Sequence, residues 1–136
     1  MGVKYFSGTA TYSKTVQAPA SWFRPGQHLW INLGRVRDIA EVKVNGRAMG
    51  QVWAPPSRIE VTKALKPGTN KLKIAVTNEW TNRIIGDRLL PAEERILSQP
   101  VVPARPGGGG GFGFGPQTPP ESGLLGDVTI VASRNP

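Results

Sequence analysis

The sequence predicts an all-β fold, a sandwich or barrel of about eight short strands. The first observation is composition: the 136 residues include Gly 17 and Pro 13, and only 19% are charged. That balance is typical of turn-rich β proteins rather than helical bundles. The second is a period-two alternation of apolar and polar residues, and the third is the turn residues that separate the alternating segments. The length predicts one domain over residues 1–136.

The first half of the chain shows the alternation clearly, after a first predicted strand in "GTATYSKTV". In "HLWINLG", Leu29, Ile31 and Leu33 fall on one face and the intervening residues on the other. "IAEVKVNGRAMGQVW" repeats the pattern. Its Asn45-Gly46 pair predicts a type I′ hairpin turn, since both central positions of that turn need positive φ.

In the second half, "APP" interrupts the pattern because proline cannot lie inside a central strand. A short strand follows through Ile59 and Val61, and then a polar turn over residues 66–69. A well-marked strand comes next, with Leu72, Ile74 and Val76 on its inner face. The last predicted strand is "GDVTIVAS".

Two segments fall outside this pattern. "NEWTNRIIGDRLLP", residues 78–91, is predicted as a loop, followed by a helical turn or two that begins near Pro91. Residues 99–120 are rich in glycine and proline and predict a flexible loop inserted before the last strand. The alternative for that insertion is a ligand lid bearing Phe112 and Phe114.

Charge and composition restrict the classes of partner that the chain could bind. The net charge of +8 is spread evenly, with no basic run and no nucleic-acid motif, so no nucleic-acid partner is expected. No apolar run reaches the ~18 residues of a spanning helix, and no membrane partner is expected. The start "MGVKYFSG" lacks a signal core, and the structured-looking sequence directly after it suggests an excised domain.

Catalytic chemistry is poorly represented. The chain has no cysteine and one histidine, His28, which excludes a thiol nucleophile and disfavours a zinc site. The spacing of the nine acidic residues selects no glycosidase-type pair. We therefore expect a noncatalytic domain without a cofactor. A structural calcium ion held by loop oxygens from Asp38, Glu79 or Asp87 remains an alternative.

Several aromatic and planar polar residues suit carbohydrate binding. Trp53 and Trp80 follow predicted strands, and loops with planar polar groups lie beside them. An aromatic face next to such groups matches the apolar face and the hydroxyls of a sugar. The candidate carbohydrate-binding residues are Trp53, Arg58, Trp80, Asn82, Arg83 and Asp87. The favoured alternative for residues 78–91 is a structural brace, in which Arg83 pairs with Asp87 and Trp80 covers the core.

Several segments carry a family resemblance: "LWINLGRVRDIAEVKVNGRAMGQVWAPP", "NEWTNRIIGD" and "SGLLGDVTIV". Together they resemble the galactose-binding-like β-sandwich of glycoside hydrolases, most closely the C-terminal sandwich of family 106 α-L-rhamnosidases and the sugar-binding domains of family 2. The resemblance implies a jelly roll without catalytic residues that accompanies a catalytic barrel and in some members binds carbohydrate. It also implies a secreted or periplasmic parent.

Sequence and resemblance together predict an accessory domain that packs on the catalytic domain of a larger glycoside hydrolase and binds an oligo- or polysaccharide weakly. Three rivals remain. An autonomous carbohydrate-binding module would bind a polysaccharide by itself. An enzyme would hydrolyse aryl glycosides, and a nucleic-acid binder would retain DNA in a salt-dependent way.

Overall fold

A computed structural model describes residues 3–96 and 118–134 of the chain. Most of the predicted flexible insertion, residues 99–117, lies outside the described residues. The described residues form two compact units. We call residues 8–79 with 121–134 the sandwich unit, and residues 3–7 with 80–96 and 118–120 the helical unit.

The sandwich unit contains nine strands among the described residues, one more than the approximate number predicted. They are β1 (Thr9–Ala18), β2 (His28–Asn32), β3 (Val36–Arg37), β4 (Ile39–Val44), β5 (Arg47–Val52), β6 (Arg58–Glu60), β7 (Gly68–Thr77), β8 (Gly123–Leu124) and β9 (Thr129–Ser133). A 3₁₀ turn, Ala20–Trp22, lies between β1 and β2. All pairings are antiparallel, in sheets ordered β1-β7-β4-β5, β6-β2-β9 and β3-β8. The predicted all-β class is confirmed.

The core of the sandwich unit is built from the inner faces predicted by alternation. Leu29, Ile31 and Leu33 are buried, and so are Val42 and Val44 of β4. The predicted inner row of β7 is buried as well: Leu72, Ile74 and Val76. Burying one such side chain contributes about 1.5–3 kcal/mol, so this shared face holds the sheets together.

Strand β7 is the centre of the larger sheet. It pairs with β1 over ten positions, from Thr9↔Thr77 to Ala18↔Gly68. On its other edge it pairs with β4, from Ile39↔Thr77 to Val44↔Leu72. With both edges hydrogen-bonded, β7 sets the register of the strands on either side.

The predicted hairpin between β4 and β5 is confirmed. Asn45 has a φ of 51° and Gly46 a φ of 83°, the positive pair that a type I′ turn requires. The Asn45 backbone amide donates to the Lys71 carbonyl at 2.8 Å. Its side-chain Oδ1 accepts from the Lys71 amide at 2.9 Å. The turn is thereby attached to the beginning of β7.

A fully buried amide, Asn70, connects three segments at this end of the sandwich. Its Oδ1 accepts from Asn45 Nδ2 at 2.8 Å and from the Lys66 amide at 3.0 Å. Its Nδ2 donates to the carbonyls of Lys66 and Gly68 at 2.7 and 2.9 Å. Each polar atom of the buried side chain therefore has two partners, which offsets the cost of removing it from water.

The helical unit corrects one prediction, because residues 78–91 are not a loop. They contain α1 (Thr81–Arg88), preceded in the unit by the 3₁₀ turn Val3–Tyr5 and followed by the 3₁₀ turn Ala92–Glu94. The helix has a buried side that includes Asn82, Ile85 and Asp87. On that side Gly86 approaches Tyr5 so closely that an added Cβ would lie 2.6 Å from the Tyr5 Cβ. Burial on one side of a helix requires buried residues three or four positions apart. The loop prediction did not recognise that spacing in this segment.

We expect Asn70→Ala to destabilise the sandwich unit by ~1–3 kcal/mol, because the four hydrogen bonds of this fully buried side chain are lost together. Thr69→Ala, an exposed change at the adjacent position of β7, is the matched control. Urea denaturation followed by circular dichroism measures both. Equal stability of the two variants would contradict the role given to Asn70.

Candidate functional site

The predicted site residue Trp53 lies at the edge of an open cleft in the sandwich unit. The indole follows β5 directly and is 76% exposed. The cleft has a volume of about 190 Å³. The residues that line it are Gly34, Arg35, Val36, Val52, Trp53, Ala54, Pro55 and Ser57.

Backbone hydrogen bonds fix the walls of this cleft. The Leu33 amide donates to the Ser57 carbonyl at 2.7 Å, which attaches the segment after β5 to the end of β2. The Leu125 amide donates to the Arg35 carbonyl at 2.8 Å. Gly34 has a φ of 64°, and a Cβ there would lie 3.1 Å from the Asp127 carbonyl oxygen, so this close approach favours glycine.

Arg35, which lines the cleft, forms an ion pair that the sequence did not indicate. The Arg35 guanidinium contacts the Glu121 carboxylate, and both side chains are more than half exposed. The two residues are separated by 86 positions, so no local pattern could have joined them. The pair presents N–H donors and carboxylate acceptors at the surface of the sandwich unit.

The predicted site residue Arg58 is not among the residues lining the cleft. Its guanidinium carbon lies 4.7 Å from the centroid of the Trp30 ring, a cation–π contact on the face of the β6-β2-β9 sheet opposite Leu29 and Ile31. Sequence proximity to Trp53 therefore grouped two residues that take part in different contacts.

Next to this contact lies a small polar network. His28 Nδ1 is 2.8 Å from Glu60 Oε1, and the Thr62 hydroxyl donates to the same oxygen at 2.8 Å. The Leu29 amide donates to Thr62 Oγ1 at 2.9 Å. The hydrogen bond with His28, and then the one from Thr62, lower the pKa of Glu60 below its ordinary value. These hydrogen bonds link β2 to β6 and to the residues directly after β6, so the network has a structural role.

The four remaining predicted residues belong to the helical unit. Trp80 is 68% exposed, so the prediction that it covers the core is wrong. Asn82 and Asp87 are buried, and Arg83 is partly buried. Two of the six predicted residues thus belong to the sandwich unit and four to the helical unit.

The predicted Arg83–Asp87 pair is not among the ion pairs of the described residues. Asp87 is only 3% exposed, and its Oδ1 accepts from the Ile96 amide at 2.8 Å. The Arg83 backbone amide donates to Ser7 Oγ at 2.9 Å. Asp87 therefore holds the segment that follows the helix through a backbone amide nine positions later, and the predicted side-chain pair with Arg83 is not seen among the described residues.

Within residues 3–96 and 118–134, no group of three or more His, Cys, Asp or Glu side chains could hold a metal ion. The alternative of a calcium ion at Asp38, Glu79 or Asp87 therefore gains no support from the described residues. In the described part of the chain, no helix is long and apolar enough to cross a membrane.

We expect Asp87→Ala to lower the free energy of unfolding by ~1–3 kcal/mol, because the hydrogen bond between the buried Asp87 carboxylate and the Ile96 amide is lost. Arg83→Ala should lower the free energy of unfolding clearly less, since the hydrogen bond of Arg83 to Ser7 comes from its backbone amide, which alanine keeps. Thermal melting of both variants tests this ranking. A larger loss in Arg83→Ala would restore the predicted side-chain pair.

The Glu60 network predicts a pH dependence of stability. Because folding lowers the pKa of Glu60, its carboxylate stabilises the fold when ionised, and this contribution is lost as the pH falls through the folded pKa. We expect wild type to melt above Glu60→Gln near pH 5, and the gap to narrow from about pH 4.5 toward pH 3. Glu93→Gln, an exposed carboxylate, is the control. A gap independent of pH over this window would contradict the assignment.

Comparison with known proteins gives the context of this fold. Residues 3–94 match the family model described as the glycosyl hydrolase 2 galactose-binding domain-like family. A protein of Formosa agariphila, named provisionally as a beta-glucuronidase, is 48% identical over 92 residues, which are 68% of this chain and 8% of that protein.

One solved structure agrees over nearly the whole chain. A rhamnosidase from Novosphingobium sp. PP1Y is 38% identical with a TM-score of 0.74, over 96% of this chain and 11% of that one. A beta-glucuronidase of Bifidobacterium dentium is 26% identical with a TM-score of 0.46, over 52% of this chain and 11% of that one. The chain therefore spans about a tenth of the length of these relatives.

The predicted resemblance to glycoside hydrolase sandwiches is confirmed by the family match and by the rhamnosidase structure. The chain belongs to the glycosyl hydrolase 2 galactose-binding domain-like family.

Proposed function

We propose that this chain is a noncatalytic accessory domain of a larger glycoside hydrolase, which packs on the catalytic unit and binds carbohydrate weakly. The observation that carries the proposal is size. The chain matches only 8% of one relative and 11% of another, while most of its own length is covered in both matches. A segment that makes up about a tenth of a longer protein is one domain among several. The accessory role needs no cofactor.

The surface of the helical unit supports packing on another body. Trp80, Ile84, Leu89 and Ile96 are exposed apolar side chains within a short stretch of chain. Trp80 is the N-cap of α1 and Ile84 lies four positions later, so both lie on one side of the helix. Exposed apolar groups clustered in this way are characteristic of contact surfaces. We propose that the remainder of the parent polypeptide packs on this surface.

A second candidate function is an autonomous carbohydrate-binding module. The exposed Trp53, in a cleft that Arg35 also lines, favours it, because an aromatic face and a guanidinium can contact a sugar without any other domain. In either case, we propose that the parent is secreted or periplasmic, since polymeric carbohydrate does not cross membranes unaided.

Co-expression tests the accessory role. The tagged 136-residue chain is produced together with the remainder of its open reading frame, and we expect the two pieces to co-purify. Ile84→Asp with Leu89→Asp should abolish co-purification by placing charges in the apolar surface. Val131→Asp, an apolar-to-acid change at an exposed position of β9, is the control.

Three results would contradict the proposal: a reading frame that encodes no catalytic domain, pieces that purify separately, or hydrolysis of aryl glycosides by the chain alone. Folding of each variant is checked by circular dichroism, so that loss of structure is distinguished from loss of contact.

A further inference from the structure

We infer that the outer edge of β1, the side of the strand that does not face β7, binds an extended segment of the parent polypeptide. The segment adds a fifth strand to the four-stranded sheet and places an acidic residue opposite Lys14. The inference rests on the proposed function and deepens it, because it names an element of the sandwich unit that receives the parent and the chemistry of the segment that it receives.

β1 is the end strand of its sheet. In the order β1-β7-β4-β5, its strand partner among the described residues is β7, which it meets over ten positions. This pairing runs without a shift of register, whereas β5, at the other end of the sheet, is shorter and its pairing with β4 is interrupted by a bulge. Bulges, short strands and prolines are common protections of a sheet edge against further pairing. β1 has none of these three.

Every second residue of β1 directs its backbone N–H and C=O away from β7. The Gly8 carbonyl accepts from the Asn78 amide at 3.1 Å, directly before the first pair of the ladder. Because hydrogen-bonded and non-hydrogen-bonded pairs alternate in an antiparallel ladder, the even-numbered residues of β1 bond to β7. The outward backbone groups are therefore those of Thr9, Thr11, Ser13, Thr15 and Gln17. They offer an added strand alternating donors and acceptors at the spacing of its own backbone.

The side chains on the core side of β1 specify what the added strand carries. Tyr12 and Lys14 lie opposite two residues of the buried inner row of β7, so they share its face. Tyr12 is nevertheless 42% exposed, and Lys14 is exposed as well. Side chains directly opposite each other on neighbouring strands stabilise a sheet when apolar groups meet or opposite charges meet. The segment that fits has a carboxylate opposite Lys14 and, two positions away, an apolar side chain opposite Tyr12.

Lys14 also distinguishes the parent from a second copy of the chain. It lies near the centre of β1, so two antiparallel β1 strands centred there would bring two Lys14 side chains together. Like charges opposite each other destabilise such a pair. β1 has no carboxylate of its own, and Lys71 and Lys73 lie on the neighbouring strand. An acidic segment is therefore favoured, and about nine tenths of the relatives' length lies outside this domain.

Hydrogen–deuterium exchange at residue resolution tests for the added strand. Exchange is measured in the 136-residue chain alone and in the complex that it forms with the remainder of its reading frame. We expect the outward amides of β1 to exchange at least ~10-fold more slowly in the complex, because they become hydrogen-bonded there. The amides of β5, at the other end of the sheet, should not change and are the internal control.

Variants assign the contacts, with co-purification as the measurement. Ser13→Pro removes an outward N–H and keeps the bonds to β7, so it should lower the recovered remainder at least ~10-fold. Gln51→Pro, at an exposed position of the edge strand β5, is the matched control. Lys14→Glu should lower recovery about 2–5-fold, because an attraction becomes a repulsion, whereas Lys14→Arg should keep it. Circular dichroism checks that each variant is folded.

The inference is overturned if the outward amides of β1 exchange equally in the two samples, or if they are already protected in the chain alone. It is also overturned if Ser13→Pro recovers as much of the remainder as wild type. Dimers of the chain alone that Ser13→Pro abolishes would assign the edge to a second copy instead. All of these results are compatible with co-purification, so the accessory role would stand. Pieces that purify separately would contradict the accessory role itself.

Discussion

The buried side chain of Asn70 fixes the point at which β7 begins, and the register of the four-stranded sheet depends on that point. Four hydrogen bonds hold its amide to the preceding turn and to Asn45 of the hairpin. If β7 moved by one residue, its inner row of Leu72, Ile74 and Val76 would turn to solvent. A buried amide with satisfied donors and acceptors opposes this slip, because any shifted register would leave those groups unpaired in the core.

The same register determines where the cleft lies. β7 pairs with β4, and β4 pairs with β5 so that Ala40 is opposite Val52. Val52 therefore faces the core, and Trp53 emerges at the edge of the sandwich beside the turn that carries Arg35. The surface tryptophan is thus positioned by the hydrogen-bond ladder of buried strands. The bulge between Val42 and Lys43 lies nearer the hairpin turn and leaves the pairing at Val52 regular.

Local patterns in the sequence predicted the parts of the fold that depend on local chemistry. The inner faces of β2, β4 and β7 follow from period-two alternation, and Asn45-Gly46 specifies its own turn. The helix α1 was missed because its buried side consists of Asn82, Ile85, Gly86 and Asp87, of which only Ile85 is a large apolar residue. Asn70 was missed because asparagine beside Gly68-Thr69 is expected in an exposed turn. The Arg35–Glu121 pair joins residues 86 positions apart, and only the folded chain brings them together.

Weak sugar binding is enough for a domain that is covalently attached to a catalytic unit. An isolated module with millimolar affinity is rarely occupied at low sugar concentration. When the module and the catalytic site engage the same polysaccharide, however, the second contact becomes intramolecular, with an effective concentration of order millimolar for a short connection. Under the proposed function, weak binding then suffices to raise the residence time on the polymer. Tighter binding would slow movement to the next segment of substrate. Weak binding therefore fits the role proposed for a domain attached to an enzyme.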